Sequence, residues 1–369
     1  MNDMTPITTT LKDWETDQEV RWCPGCGDYA ILKAVQRTLP QLGANPKNTV
    51  FISGIGCSSR FPYYMESYGF HTIHGRAPAV ATGVKLANPD LDIWLVTGDG
   101  DGLSIGGNHL MHVLRRNVNM QIMLFNNEIY GLTKGQASPT SRIGTTTPST
   151  PLGSVDRPAN PCAFALGVGA RFVARGFDVS KNLPDVLIAA HAHQGAAFIE
   201  IFQNCVVYNK DVFEDFAQPK GAEDRQLWLQ HGEPMLFGSE KSGGIKGLRL
   251  DPETFSLQVV EVPGGDWQAA GVLVHNARNR TLAHMLVELP FGPFPMPLGV
   301  IYDDPAPTYE AAVLDEKRRA TEGRDTSFAR LLAKGQTWTV GGTAQDPIGT
   351  RPPLQGGNPA TQKIPSPGA

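Results

Sequence analysis

Four short apolar runs, at residues 50–53, 93–97, 121–125 and 197–202, are each bounded by turn residues, and helical patterns separate several of them. Strands that alternate with helices build a parallel sheet with helices on both faces, so a mostly parallel α/β fold is expected. One intervening helix is read directly. After Gly106-Gly107-Asn108, Leu110, Val113 and Leu114 fall at i, i+3 and i+4, and Arg115-Arg116 follow where cations complement the helix dipole. A second helical pattern covers residues 78–87. A third begins after the tight turn Trp22-Cys23-Pro24-Gly25-Cys26-Gly27 and runs through Tyr29, Ile31, Leu32 and Val35.

Residues 1–20 are polar and Thr-rich, an N-terminal extension to a domain expected at 21–210. Residues 211–340 carry weaker signals: a β-like run at 271–275, a helical run at 281–289 and a Pro-rich stretch at 290–297. They are expected to elaborate the core domain. Residues 341–369 are dominated by Gly, Pro, Thr and Gln, bury too little apolar surface to offset ordering entropy, and are expected to form a flexible tail. No internal repeat is present.

With 41% hydrophobic and 18% charged residues, the chain has the make-up of a soluble globular protein. A net charge of −4 without a basic run argues against nucleic-acid binding. The first residues include Asp3, Lys12, Asp13, Glu15 and Asp17 with no apolar leader, and no stretch approaches the roughly 18 apolar residues of a membrane span. A cytoplasmic protein with no membrane contact is expected. There the five cysteines, an odd number, point to reduced thiols in metal binding or catalysis rather than to disulfides.

Two segments carry ligand chemistry. Gly98-Asp99-Gly100-Asp101-Gly102 closes one apolar strand, and Phe125-Asn126-Asn127-Glu128-Ile129-Tyr130-Gly131 closes the next. Both fall where open parallel sheets bind ligands, outside the carboxyl ends of the strands. The glycines admit a phosphate close to the backbone, the following helix start offers unpaired N–H groups, and Asp99 and Asn127 are hard oxygen ligands suited to magnesium on a diphosphate. Cys23 and Cys26 form a Cys-x-x-Cys pair, Cys57 follows Gly54-Ile55-Gly56, and Cys205 follows the strand at 197–202. Four thiolates close either a zinc site or an iron–sulfur cluster, and spacing alone does not separate the two. A thioredoxin-type use of the first pair lacks the strand which that motif needs.

Gly98-Asp99-Gly100 followed about twenty-five residues later by Asn126-Asn127 resembles the thiamine-diphosphate motif of the thiamine enzyme superfamily. Trp22-Cys23-Pro24-Gly25-Cys26-Gly27-Asp28, Gly54-Ile55-Gly56-Cys57-Ser58-Ser59, and His74-Gly75-Arg76-Ala77 before Ala81-Thr82-Gly83 resemble the β subunits of 2-oxoacid:ferredoxin oxidoreductases, over residues 20–210 or so. The resemblance implies a thiamine-diphosphate-binding fold, with magnesium held by Asp99, the Asn127 side chain and the Ile129 carbonyl. It implies one [4Fe-4S] cluster on Cys23, Cys26, Cys57 and Cys205, and leaves Cys162 as a packed core thiol. The cofactor is expected to touch Gly56, Cys57, Ser58, Ser59 and His74, then Gly98, Asp99, Gly100 and Asp101, and then Asn127, Ile129, Gly131, Leu132 and Thr133.

His74 is the candidate proton donor or polar contact beside the thiazolium, and Arg60 and Lys134 are the cations nearest the cofactor motifs for a substrate carboxylate. The reaction implied is oxidation of a 2-oxoacid with coenzyme A and ferredoxin to acyl-coenzyme A and carbon dioxide. A separate α subunit would carry the activating glutamate and the pyrimidine-side domain, in an α2β2 heterotetramer. Asn108-His109-Leu110 and Leu132-Thr133-Lys134-Gly135-Gln136 favour the 2-oxoglutarate branch, with pyruvate and branched-chain oxoacids open. A non-oxidative thiamine decarboxylase subunit would need no cluster, and a zinc-stabilised binding module no redox chemistry; the identity of the metal separates these readings.

Overall fold

The computed structural model describes residues 8–332. The strands in chain order are β1 (Thr49–Ser53), β2 (Tyr68–His71), β3 (Asp92–Gly98), β4 (Met120–Asn126), β5 (Ile129–Tyr130), β6 (Gln136–Ala137), β7 (Phe172–Phe177), β8 (Ala196–Phe202), β9 (Gln226–Leu229), β10 (Leu236–Ser239), β11 (Gly244–Asp251), β12 (Ser256–Glu261) and β13 (Met296–Asp303). Eight of them form one sheet in the order β2-β1-β3-β4-β8-β7-β13-β9. Every pairing in it is parallel except β13 with β7. The four strands expected from the sequence are β1, β3, β4 and β8, and the mostly parallel α/β fold is the one observed.

Alternate residues of the central strands serve opposite faces. Ile93 and Leu95 of β3 join a core with Val50, Ile52, Ile122 and Leu124, whereas Trp94 and Val96 join Phe51, Met123 and Phe125 on the other side. Helices α2 (Ala77–Ala87), α4 (Gly107–Arg116) and α5 (Pro161–Gly167) cover the first face, with Ala81, Leu110, Val113, Leu114 and Leu166 fully buried. Helices α1 (Asp28–Gln41) and α6 (Leu183–Ala192) cover the second through Ile31, Val35, Leu39, Leu183 and Leu187. Because both faces are covered, the strands read as continuous apolar runs rather than alternating ones. Each buried Leu, Ile or Phe stabilises the fold by about 1.5–3 kcal/mol relative to an exposed one. One more helix, α3 (Asp99–Leu103), begins directly where β3 ends.

Beyond residue 210 the chain returns to this sheet, adding β9 and β13, and forms a separate antiparallel sheet, β10-β11-β12. The expected run at 271–275 is not a strand. Gly271 takes φ +69°, the Val272 amide turns back to the Trp267 carbonyl, and a single bridge joins Val274 to Pro234. The helix expected at 281–289 is Arg280–Val287, its start capped by the Asn279 side chain on the Leu282 amide at 3.1 Å. Chain contacts divide the molecule into Met1–Glu316, which holds these two sheets and the two-stranded β5-β6, and a second unit from Lys317 whose described residues include the helix Phe328–Leu332. The expected tail at 341–369 lies outside the described residues. No helix among them is long and apolar enough to cross a membrane.

Candidate active site

At the carboxyl ends of β1, β3 and β4 lies a cavity of about 410 Å³, lined by Ile55–Ser58, His74, Gly98–Asp101, Asn127, Ile129–Thr133, Gln136 and Gln203, with Asp28 at its inner wall. A larger cleft of about 620 Å³ is lined in part by Pro24–Gly27 and holds neither the Gly98–Asp101 segment nor Asn127. Ligand chemistry therefore centres on the smaller cavity.

Asp99 is 2% exposed. Burial raises its carboxyl above the usual range, opposed by hydrogen bonds from Ser138 and Thr140; the Thr140 hydroxyl donates to Oδ2 at 2.7 Å. Asn127 faces the same space, with its Oδ1 accepting the Ile129 amide at 3.2 Å and its Nδ2 donating to Gln203 Oε1 at 2.8 Å. Between Asn127 and Ile129, Glu128 adopts φ +56°, a left-handed kink that leaves both neighbours lining the cavity while its own side chain turns away to Arg142 at 3.0 Å. Burial pushes the Glu128 carboxyl up to about 7 despite that arginine. Gly100 is obligatory for space, since a Cβ there would enter the Tyr130 ring, whose hydroxyl donates to the Gly100 carbonyl at 3.0 Å.

Asp101 also lines the cavity, but its carboxylate is committed to the protein. Oδ1 accepts the Gly75 amide at 2.7 Å and the Ile55 amide at 3.0 Å and contacts His74 Nδ1 at 2.6 Å, while Oδ2 accepts the Thr97 hydroxyl at 2.6 Å. A side chain on Gly54 would occupy the space of this carboxylate. Asp101 thus ties the Gly54-Ile55 loop, the His74-Gly75 turn and the end of β3 together. The His74 ring is left with Nε2 as its exchangeable nitrogen and is 37% exposed.

The thiols of Cys26, Cys57 and Cys205 neighbour one another, drawn in by backbone ties between distant segments. Gly27 N–H donates to the Asn204 carbonyl at 3.1 Å, joining the Cys23–Cys26 turn to the stretch that carries Cys205. The Trp22 indole donates to the Cys57 carbonyl at 2.7 Å. A Cβ on Gly131 would stand 3.4 Å from Cys57 Sγ and 3.7 Å from Cys205 Sγ, so the missing side chain keeps space open between the two. Burial, reinforced by the negative charge of Asp28, pushes the Cys57 thiol up to about 12 and the Cys26 thiol higher still. Neighbouring thiols whose thiolate charges would repel one another suit a strongly cationic metal group, which deprotonates its sulfur ligands. Among the described residues, no group of three or more His, Cys, Asp or Glu is already closed to metal-holding distance.

The remaining expected residues are placed differently. Ser58 lines the cavity, whereas Ser59 is fully buried with an unpartnered hydroxyl. Leu132 and Thr133 form an exposed rim. Arg60 and Lys134 are not among the lining residues: the Arg60 Nε donates to the Tyr64 hydroxyl at 3.1 Å, and Lys134 sits exposed on a turn at φ +76°. Cys162 is buried on α5 and its thiol donates to Glu200 Oε2 at 3.2 Å.

Several residues around the site escaped the sequence reading. Glu200, 1% exposed, pairs with buried Arg175 at 2.7 Å and accepts the Asn126 amide at 2.8 Å; the Asn126 Oδ1 in turn accepts from Thr140, which holds Asp99. A charged pair inside apolar strands gives no local signal. Asp28, with both carboxylate oxygens buried and unpartnered, follows directly on the Cys-x-x-Cys-Gly turn, and that adjacency was the one available cue.

A parallel sheet that brings Gly98–Asp101 and Asn127 to one crevice defines the thiamine-diphosphate-binding class, and residues 54–201 match the family model for the thiamine pyrophosphate enzyme C-terminal TPP-binding domain. The chain is 48% identical over 340 residues, 89% of its length and 88% of the relative's, to the 2-oxoglutarate oxidoreductase subunit KorB of Mycobacterium tuberculosis. It is 44% identical over 198 residues, 53% of this chain and 64% of the relative, to the β subunit of 2-oxoacid:ferredoxin oxidoreductase 2 of Aeropyrum pernix. The solved 2-oxoglutarate:ferredoxin oxidoreductase of Magnetococcus marinus, with 2-oxoglutarate, coenzyme A and succinyl-CoA bound, superposes with a TM-score of 0.71 at 34% identity, covering 90% of this chain and 98% of that one. The chain belongs to the 2-oxoacid:ferredoxin oxidoreductase family, as a β subunit.

Proposed function

We propose that this β subunit completes an active site that converts 2-oxoglutarate, coenzyme A and two oxidised ferredoxins into succinyl-CoA, carbon dioxide, one proton and two reduced ferredoxins, reversible in principle. Its partner is an α subunit carrying the pyrimidine-side thiamine domain, in a cytoplasmic α2β2 assembly. The observation that carries the reading is the adjacency of a diphosphate-type cavity and a group of neighbouring thiols, with Cys57 belonging to both. A thiamine reaction without oxidation has no use for that adjacency. The choice of 2-oxoglutarate is supported by what the Mycobacterium and Magnetococcus relatives act on.

In this reading Asp99, the Asn127 side chain and the Ile129 carbonyl would hold magnesium with the diphosphate, and Cys23, Cys26, Cys57 and Cys205 would hold a [4Fe-4S] cluster. Bound thiamine diphosphate supplies the electron sink for decarboxylation. The chain's own residues do the rest. The low-dielectric wall around Asp99 would strengthen its hold on a cation, and the amides at the start of α3 would be available to phosphate oxygens. Asp101 fixes His74 Nδ1, so that Nε2 is the atom able to hold or move a proton at the cavity mouth. Arg60, now bonded to the Tyr64 hydroxyl, and the exposed Lys134 would be the cations offered to a substrate carboxylate.

The visible spectrum of the anaerobically purified αβ complex tests this, recorded before and after 2-oxoglutarate with coenzyme A, with pyruvate and a branched-chain oxoacid as comparisons. Bleaching of a broad iron–sulfur band by 2-oxoglutarate is expected. Bleaching by pyruvate alone would keep the chemistry and discard the substrate; a colourless zinc protein would remove the oxidoreductase reading.

A further inference from the structure

Gln203 follows directly on β8, lines the thiamine cavity and is 1% exposed. Its backbone amide donates to the Asn126 carbonyl at 2.8 Å, which fixes it against the end of β4. Both ends of its side-chain amide are engaged. Oε1 accepts from Asn127 Nδ2 at 2.8 Å, and Nε2 donates to the Asn204 carbonyl at 2.6 Å and to Cys26 Sγ at 3.2 Å. The surroundings admit only this orientation: turned over, the Gln203 oxygen would meet the Asn204 carbonyl and its NH2 the Asn127 NH2. The Asn127 amide is fixed in turn. With Nδ2 given to Gln203, Oδ1 is the end left for the Ile129 amide at 3.2 Å and for a ligand in the cavity. One buried side chain thus links the diphosphate segment to one of the thiols.

We infer that Gln203 is a positioning residue that couples cofactor binding at Asn127 to the reduction potential of a cluster on Cys26. The inference rests on the cofactor roles given to Asn127 and Cys26 above. A sulfur ligand gains negative charge when its cluster takes up one electron, so an N–H donated to that sulfur stabilises the reduced state more than the oxidised one. The Gln203 N–H at Cys26 therefore holds the potential above the value the same thiolate would give without it. The other end of the amide acts on the cofactor side. A cation at Asn127 Oδ1 draws electron density from the Asn127 amide, which makes its N–H the stronger donor to Gln203 Oε1, and the polarisation passes on to the N–H at Cys26. Cofactor binding at Asn127 thus favours reduction on the Cys26 side, and by linkage reduction tightens the hold on the cofactor by the same factor. Glutamine is the residue type that fits: a carboxylate would set an unpaired charge against the sulfur, and an apolar side chain would leave Asn127 free to turn.

The test uses the anaerobic αβ complex, freed of thiamine diphosphate, as wild type, Gln203→Met and Gln203→Glu. The midpoint potential is read by electron paramagnetic resonance during titration with dithionite, with and without magnesium and thiamine diphosphate, and cofactor binding is read by calorimetry. Wild type should show a higher potential with the cofactor than without it. Gln203→Met removes donor and acceptor at nearly constant volume. At full iron content it should lower the reduction equilibrium constant about tenfold, or about 59 mV for one electron, and lose most of the cofactor-induced shift. It should also bind the cofactor more weakly. Gln203→Glu keeps an oxygen for Asn127 but loses the N–H to Cys26, so cofactor affinity should stay near wild type while the potential falls at least as far. An unchanged potential in both variants would overturn the inference, as would a cofactor-induced shift of wild-type size in both, which would be a direct field effect of the cofactor. If neither variant holds a cluster, wild type decides: equal potentials with and without cofactor overturn the coupling, and a higher one with cofactor supports it. A complex that carries zinc and no iron would overturn the functional reading, whereas a cluster signal that no Gln203 variant moves would overturn this inference alone.

Discussion

His74 Nδ1 stands 2.6 Å from Asp101 Oδ1, and the same oxygen also accepts the amides of Gly75 and Ile55. One carboxylate therefore sets both the orientation and the tautomer of the histidine at the cavity mouth. Asp101→Asn keeps a carbonyl oxygen for the two amides but removes the negative charge that holds His74 Nδ1–H, and so loosens the ring. A fall in kcat of about 10²-fold or more is expected for Asp101→Asn and for His74→Gln in the αβ complex, from loss of a positioned proton-transfer group. His74→Gln should bind thiamine diphosphate within a few-fold of wild type by calorimetry, since the diphosphate motif is untouched. An equal loss of cofactor affinity would mean that His74 holds the cofactor rather than a proton.

Gly131 keeps the space between Cys57 and Cys205 free of side-chain atoms. Its φ is not among the left-handed values, so alanine fits the backbone, and a methyl group makes ordinary contact with both sulfurs in the metal-free chain. Gly131→Ala should then melt at the wild-type temperature as apoprotein while retaining less iron and labile sulfide after anaerobic reconstitution. Full iron content with the methyl in place would move the cluster away from Gly131.

Arg175 and Glu200 are both almost wholly buried, and Glu200 carries the Asn126 amide as well. Arg175→Met leaves an unpaired carboxylate inside the sheet and should destabilise the chain by about 3–5 kcal/mol in chemical denaturation. The double variant Arg175→Met/Glu200→Gln should recover a large part of that loss, because the uncompensated charge is gone. Equal destabilisation by single and double variants would assign the cost to packing alone.

His191 of α6 stacks on Trp94 and reaches Asp92 Oδ2 at 3.3 Å. Burial lowers its affinity for a proton, but the Asp92 carboxylate outweighs burial and the folded-state value lies above the ordinary 6.5. The folded chain thus holds a proton that the unfolded chain has released, so this contribution is complete below pH 6.5 and disappears as pH rises through the higher folded value. His191→Asn should lower the melting temperature under acidic conditions and have little effect under alkaline ones. A uniform loss across pH would reduce His191 to a stacking partner of Trp94.

The central sheet was legible because β1, β3, β4 and β8 are buried on both faces and so announce themselves as unbroken apolar runs. Other strands of the same sheet lack that signature. β7 carries Arg175 in its middle, β2 is exposed along its length, and β13 contains Pro297 and Gly299 and shifts register between Val300 and Tyr302. The diphosphate segments were readable from their glycines and from their position after strands. What Asp101 does was not, since its partners at Ile55, His74 and Gly75 lie on other elements and no local spacing reports a contact made by folding. The same holds for Glu128, whose left-handed backbone looks like any acidic loop residue until its neighbours are seen to share one cavity.

The carbonyl of Asn204 that receives the Gly27 amide is supplied by the segment leaving β8, the last of the central parallel strands to be synthesised. Cys23, Cys26 and Cys57 therefore leave the ribosome well before the strand that brings Cys205 to them. Translation order makes the gathering of these thiols a late event: it waits on β8 joining β4 and β7, so Cys205 reaches its neighbours only after the centre of the sheet is in place.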